Sequence, residues 1–245
     1  MPASHVCHNA DLKSAWPARP FHVLPAQGRY KASMSTSLTV DAIWRPMTLE
    51  DVPLVVAIAD AVHPDLPEDA AVFAERIRLF PAGCHILVPQ KSREQRQASD
   101  NKSQATTAGL GYIISHPIPK NCPPSLNTLL GTLPLLPTAN DNNAEQQQQQ
   151  QQYYVHDLAL VAAARGRGFA AKGIAGVLHG PDAPALQYPM TSLVSVYGTA
   201  PFWRRLGFEE QDLRAQSRDT DHVPALVAKL RDYGKDAVYM VRQNS

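Results

Sequence analysis

The chain has 245 residues and a formal net charge of +1. That is ample length to bury a core, and too little charge of either sign to argue for nucleic acid or an anionic membrane as a partner. Charged residues are 18% of the chain, below the usual quarter, and its 21 prolines exceed the usual share of about 5%, so extended tracts are expected beside the folded core. No apolar run approaches the roughly 18 residues that a bilayer crossing needs. Three cysteines (Cys7, Cys84, Cys122), odd in number and in no ligand spacing, point to a reducing, cytoplasmic compartment and to no metal site.

Residues 1–38 hold Pro2, Pro17, Pro20 and Pro25 and lack apolar periodicity; a disordered extension is expected. Its basic residues outnumber its one acid, Asp11, which also fits a mitochondrial presequence. The folded domain is expected over 39–245. Ala42 to Pro46 reads as a first strand, and Thr48-Leu49-Glu50-Asp51 as a helix start with acids in its first turn. Leu54, Val55, Ile58, Ala61 and Val62 form the apolar stripe of that helix. His63 to Pro67 is a loop, Glu68 to Phe80 a second helix, and Cys84 to Val88 a strand. Residues 89–107 are polar and low in complexity, an overgrown hairpin loop before the paired strand Gly109 to Ser115. Residues 116–140 hold six prolines among scattered leucines, too many for a helix, and read as an ordered loop laid over the core. Residues 139–152, ending in the run Gln146 to Gln152, read as a second low-complexity, disordered insert.

The central stretch is Tyr153 to Val177. Its first nine residues suit a buried strand. Arg165-Gly166-Arg167-Gly168-Phe169-Ala170 then turns the chain, and Phe169, Ile174, Val177 and Leu178 recur at helical spacing. A strand, a glycine turn and a helix N-terminus together cradle phosphate, because glycines let backbone N–H groups approach an anion and the helix end carries about half a positive charge. Thr191 to Tyr197, Phe208 onward and Ala237 to Arg242 read as later strands, with helices over Pro201 to Leu206 and Val223 to Leu230.

The turn satisfies two signatures. Gly166-Arg167-Gly168-Phe169-Ala170-Ala171 fits the Gly-x-Gly-x-x-Ala of dinucleotide-binding Rossmann folds, but Ala162, Ala163 and Ala164 separate it from its strand, and the next strand carries no acid. Arg165 to Ala170 also fits the Arg/Gln-x-x-Gly-x-Gly/Ala of the GNAT N-acetyltransferases. With Ile43 to Pro53, His156 to Ala170 and Ala200 to Phe208 in this order, the chain from about residue 42 resembles the GNAT superfamily.

The resemblance implies an α/β (α+β) fold, with a mixed, mostly antiparallel sheet splayed at the cofactor strand and flanked by helices. It implies acetyl transfer from acetyl-CoA to an amine in a ternary complex. The backbone of Leu158, Ala159 and Leu160 would pair with the pantetheine arm. N–H groups from Arg167 to Ala170, including those of Gly168 and Phe169, would hold the pyrophosphate beside Gly166. Arg165, Arg167 and Lys172 would supply cations, and Phe202 and Trp203 would pack on the cofactor. Many members carry a Tyr, four residues before the Gly of Gly-Phe, that protonates the departing thiolate. Here Trp203 stands there, and indole N–H is not a useful acid; the role moves to Tyr197, to water or to nothing.

For the general base, His156 and Asp157 are the candidates, with Glu68 and Tyr154 in reserve. Neighbours in a strand face opposite ways, so only one of the pair is expected to face the substrate, and His156 is preferred because histidine as a residue type needs no tuning to act near neutrality. Cys84-His85 invites a nucleophile reading that strand geometry discounts. The expected partner is a small-molecule amine, with a homodimer allowed for and neither nucleic acid nor membrane involved. Two other readings stand beside this one: a non-catalytic acetyl-CoA-binding module, and a Rossmann-type dinucleotide enzyme.

Overall fold

Among the described residues, seven strands form one sheet in the order β1-β2-β3-β4-β5-β7-β6. The computed structural model describes residues 41–90, 108–134, 136–137, 143–212 and 223–244. The expected extension over 1–38 and nearly all of the 89–107 loop lie outside the described residues. The strands are β1 (Ala42–Pro46), β2 (Cys84–Pro89), β3 (Gly111–Pro119), β4 (Gln151–Leu160), β5 (Met190–Ser195), β6 (Glu209–Glu210) and β7 (Val238–Gln243). The helices are α1 (Val52–Val62), α2 (Ala70–Leu79), α3 (Ala144–Gln149), α4 (Phe169–His179), α5 (Ala200–Arg204) and α6 (Val223–Asp232). All pairings are antiparallel except β4 with β5. This is the mixed, mostly antiparallel sheet that the resemblance implied.

Strand alternation sorts the core onto two faces. Tyr112 and Ile114 of β3 pack with Cys84 and Ile86 of β2 against Val55, Ile58 and Phe73 of α1 and α2. Ile113, between them, packs the other way with Tyr153, Val155 and Leu193 against Ile174, Val177 and Leu178 of α4. Burying each such side chain contributes about 1.5–3 kcal/mol before conformational entropy is set against it. Gly173 lets α4 lie close to the sheet, since a Cβ there would sit 2.6 Å from both the Trp44 ring and Ile113. Trp44 Nε1 also donates to the Phe169 carbonyl at 3.0 Å, tying the first residue of α4 to β1.

The helix start at Thr48 holds as expected. The Asp51 carboxylate accepts from the Thr48 N–H at 2.9 Å and from both ends of the Arg45 guanidinium at 2.7 Å.

Three expectations need correction. β3 does not stop at Ser115 but runs through Pro117 to Pro119. The prolines are tolerated because β2 pairs with β3 only as far as Ile114, which leaves that edge free of the ladder their missing N–H groups would break. The glutamine run is not all insert. Gln146 to Gln149 lie in the exposed α3, but Gln151 and Gln152 open β4 and are buried. The Gln152 amide donates to the Ser192 and Tyr239 hydroxyls, so composition misled where tertiary pairing decided. Finally, α2 begins at Ala70, and Glu68 belongs to the loop before it.

In its described residues, the proline-rich segment after β3 is the ordered strap expected over the core. Lys229 Nζ and the Tyr233 hydroxyl donate to the carbonyls of Pro123 and Pro124 at 2.7 and 3.0 Å. Arg76 Nη2 donates to the Thr128 carbonyl at 2.9 Å, and Glu75 accepts the N–H groups of Leu130 and Gly131.

Candidate active site

β4 and β5 are paired over three rungs only, Tyr153 with Thr191, Tyr154 with Ser192 and Val155 with Leu193. Beyond Val155 the two strands part, and β4 continues to Leu160 paired, among the described residues, with β3 alone. The opposite edge of residues 156–160 is thus an unpaired strand edge of the kind that captures an extended partner. Against β3 the register slips at this point: Ile114 faces Asp157, Ser115 faces Val155, and His156 has no residue across from it. This bulge bends the strand and re-aims its side chains. It overturns the expectation that only one of His156 and Asp157 can face the site, since both line the same cavity.

Two adjoining spaces open from the splay. An outer cleft of about 810 Å³ is walled by Leu158 and Leu160, the turn residues Arg165, Gly166 and Gly168, the start of α4 and Phe202. An inner cavity of about 130 Å³ holds Glu68, His156 and Asp157 among apolar walls that include Leu66, Leu126, Val194 and Trp203. His63, Leu158, Tyr197, Thr199 and Phe202 line both and so mark the junction.

The outer cleft fits a phosphate-bearing ligand with an extended arm. Gly166 and Gly168 have φ of +74° and +76°, the left-handed region that other residues enter at a cost, and a Cβ at either would meet nothing within 4 Å. The turn therefore faces open space. Gly168 caps α4 with no side-chain bond, and the first helical bond runs from the Lys172 N–H to the Gly168 carbonyl. The N–H groups of Phe169, Ala170 and Ala171 thus stand at the positive end of an 11-residue helix whose first residues line the cleft.

The inner cavity brings two acid–histidine pairs together. His156 Nε2 lies 2.9 Å from Glu68 Oε2, with side chains 2% and 6% exposed. Glu68 Oε1 also accepts the Asn127 N–H of the strap at 3.1 Å. Burial works against the Glu68 charge, but the His156 imidazole prevails and holds its carboxyl below the usual range. Nε2 is engaged by the carboxylate, and Nδ1 of His156 is buried without a partner.

In the second pair, His63 Nε2 lies 3.1 Å from Asp157 Oδ1. The contact is an ion pair rather than a well-aimed hydrogen bond, since Nε2 finds no acceptor in good geometry. The other carboxylate oxygen of Asp157 accepts the Tyr112 hydroxyl. Burial opposes charge on both partners, and their mutual attraction outweighs it, so Asp157 is held below and His63 above its ordinary value. The His63 ring stacks on Tyr197, centroids 5.6 Å apart and planes 7° from parallel. Tyr197 is held at φ +53°, a strained conformation of the kind found at functional sites, and remains 48% exposed.

Of the residues singled out from the sequence, Leu158, Leu160, Arg165, Gly166, Gly168, Phe169, Ala170 and Phe202 line the outer cleft. Arg167 and Lys172 are not among its walls, and the Ala159 side chain is buried on the opposite face, with Tyr112. Arg165 turns back to donate from Nε to the Leu160 carbonyl at 2.9 Å. Trp203 lines the inner cavity rather than the outer cleft, and packs edge-on against Phe202 and Phe208. Tyr154 is buried beside His116 and His156 and reaches neither space. Cys84 is core, its thiol pushed up to about 12 by burial. Sequence reasoning passed over His63, Tyr112 and Asn127. His63 sat in what read as a mere loop, and its partners are distant in sequence.

No protein-family model and no curated protein matches the chain. Among solved structures it is similar to the NatC complex bound to Gag peptide and CoA, at 16% identity and TM-score 0.48, covering 84% of this chain and 99% of that one. It is similar to the NatB acetyltransferase complex bound to CoA and MES, at 10% and 0.47, covering 83% and 99%. Rv2747 from Mycobacterium tuberculosis, in complex with CoA and NLQ, gives 13% and 0.48, covering 82% and 98%. At such identities and scores the likeness is loose, and what the chain does has to be read from its own residues.

Proposed function

We propose that the chain is an N-acetyltransferase that moves an acetyl group from acetyl-CoA to a primary amine of a small-molecule or amino-acid-like substrate. The observation that carries this is that the outer cleft and the inner cavity adjoin, sharing five walls, at the point where β4 leaves β5. A pyrophosphate suits the turn and helix N-terminus at one end. The free edge of residues 156–160 suits an amide-bearing arm, and the histidine–carboxylate cavity suits an amine at the other end. The mixed sheet argues against a Rossmann-type enzyme.

His156 serves as base in this reading. An alkyl ammonium near pKa 10 must lose a proton before its nitrogen can attack, and the unpartnered Nδ1 of His156 is free to take it. Glu68 orients the ring. A backbone N–H near Leu160 would polarise the acyl carbonyl.

Trp203 keeps a second reading alive, a non-catalytic module that binds acetyl-CoA, because it removes the proton donor the resemblance would supply. Calorimetry with acetyl-CoA and with NAD, followed by release of free thiol across a panel of small amines and short peptides, decides. Acetyl-CoA binding with thiol release on amines supports the enzyme, and preference for peptides would replace the small amine. Binding without release on any amine leaves the module. NAD binding in place of acetyl-CoA would overturn both.

A further inference from the structure

We infer that His63, paired with Asp157, is the proton donor to the departing thiolate; this rests on the acetyl-transfer reading above. His63 lines both the outer cleft and the inner cavity, so it stands where the thioester and the amine must meet. His156 and Glu68 line the inner cavity alone. The charged form of His63 is favoured from two sides. Asp157 Oδ1 is 3.1 Å from Nε2, and that carboxylate is itself fixed by the Tyr112 hydroxyl. His63 is also the residue that closes the C-terminus of α1, its N–H bonded to the Ala59 carbonyl, where a helix end favours a cation. With Nε2 turned to Asp157, the Nδ1–H is left without an acceptor of its own. The ring cannot swing freely, because Tyr197 is stacked on its face.

The step balances. The amine nitrogen, after giving one proton to His156, attacks the thioester carbonyl carbon. The C–N bond forms and the C–S bond breaks, and the electron pair leaves on sulfur. His63 Nδ1–H protonates that sulfur, and the neutral His63 then takes the second proton from the nitrogen as the amide forms. An unperturbed imidazolium is a stronger acid than an ordinary thiol, about 6.5 against about 8.5, and the raised value of His63 narrows that gap. His63 ends the cycle charged again, and the one proton released to solvent is the one on His156. No oxidant or further reactant is needed. The arrangement supplies from α1 what Trp203 cannot supply from α5.

The groups that bear on the His63 charge are Asp157 from β4, Glu68 from the loop before α2, and Arg165 from the glycine turn, which opposes it; Tyr197, stacked on the ring, has Asp65 beside it. Asp157 is the closest and decides the sign. Turnover should therefore fall as pH rises through the folded value of His63.

The test has two arms. First, kcat against pH is measured for wild type, His63→Gln, Asp157→Asn and Tyr197→Phe with acetyl-CoA and the best amine found. His63→Gln should lose the alkaline limb and slow turnover roughly 10²-fold, the lower end of a general acid's contribution because a thiolate already leaves fairly well, with the acetyl-CoA KM little changed. Asp157→Asn should move the limb to lower pH, and Tyr197→Phe should keep it. An intact limb in His63→Gln, or a limb lost in Tyr197→Phe, overturns the assignment while leaving acetyl transfer standing. A wild type that releases no thiol overturns acetyl transfer and this role with it. Second, and independent of activity, the His63 ring is followed by NMR in the free protein. Its titration should lie above that of an unperturbed histidine and should respond to CoA; a ring that is neutral at pH 6 overturns the proposal even if the variants fail to fold.

Discussion

Glu68 and His156 lie 88 residues apart in the chain and 2.9 Å apart in the fold, and the bulge in β4 is what brings them together. Removing the carboxylate leaves a buried imidazole without its anchor. Glu68→Ala should destabilise the protein by about 3–5 kcal/mol, the range seen when one partner of a buried pair is lost. Chemical denaturation measures this directly, and a change within about 0.5 kcal/mol would show that the pair contributes little.

His156→Ala should remove the acidic limb of the pH–rate profile and slow turnover by roughly 10²–10⁴-fold while acetyl-CoA affinity stays near wild type. Trp203→Phe should act differently. It thins the packing on Phe202 and Phe208 and lowers the melting temperature, with both limbs of the profile intact. If His156→Ala keeps its rate and its limb, the histidine is only a core residue.

Gly168→Asp should weaken acetyl-CoA binding at least a hundredfold, since losing even two charge-assisted bonds at about 1.5–3 kcal/mol each implies that much. A φ of +76° adds backbone strain, which Gly168→Ala isolates without the charge. Calorimetry on the two variants separates the terms, and unchanged affinity in a folded Gly168→Asp protein would remove the phosphate assignment.

Stability should respond to pH on both sides of neutrality. Glu68 and Asp157 are held below their ordinary values, so their contribution is present above about pH 4 and is lost as pH falls through their folded values. His63 is held above its own, so its contribution is complete below about pH 6.5 and is lost as pH rises through the folded value. Melting curves of wild type and His63→Gln should converge at alkaline pH and separate toward pH 6. Parallel curves would mean that His63 gains nothing from Asp157.

Within the glutamine run, Gln152→Ala should cost about 1–3 kcal/mol by stranding the Ser192 and Tyr239 hydroxyls, whereas Gln147→Ala on the exposed α3 should stay within about 0.5. Equal effects would contradict the boundary between insert and strand.

That boundary shows what a sequence can carry. The strand, turn and helix around Gly166 and Gly168 were legible because their signals are local: apolar runs, glycine positions and helical spacing. Trp203 was legible as a missing acid for the same reason. The two acid–histidine pairs were not. They depend on a one-residue slip between β3 and β4, on a carboxylate in the loop ahead of α2, and on a histidine at the end of α1, none of which alters a local pattern. Gln152 was lost in a homopolymer whose members meet different surroundings.

One carboxylate touches two things at once. Glu68 steadies the His156 ring through one oxygen and takes the Asn127 N–H of the strap through the other. Leu126, next to Asn127, is a wall of the cavity where the amine would sit. Redesigning that wall for a bulkier acceptor would tug on the same hinge that aims the ring, so acceptor range and speed are not independent dials in this protein. A variant chosen for a new acceptor would then need a second change at position 68 or 127 to regain its rate.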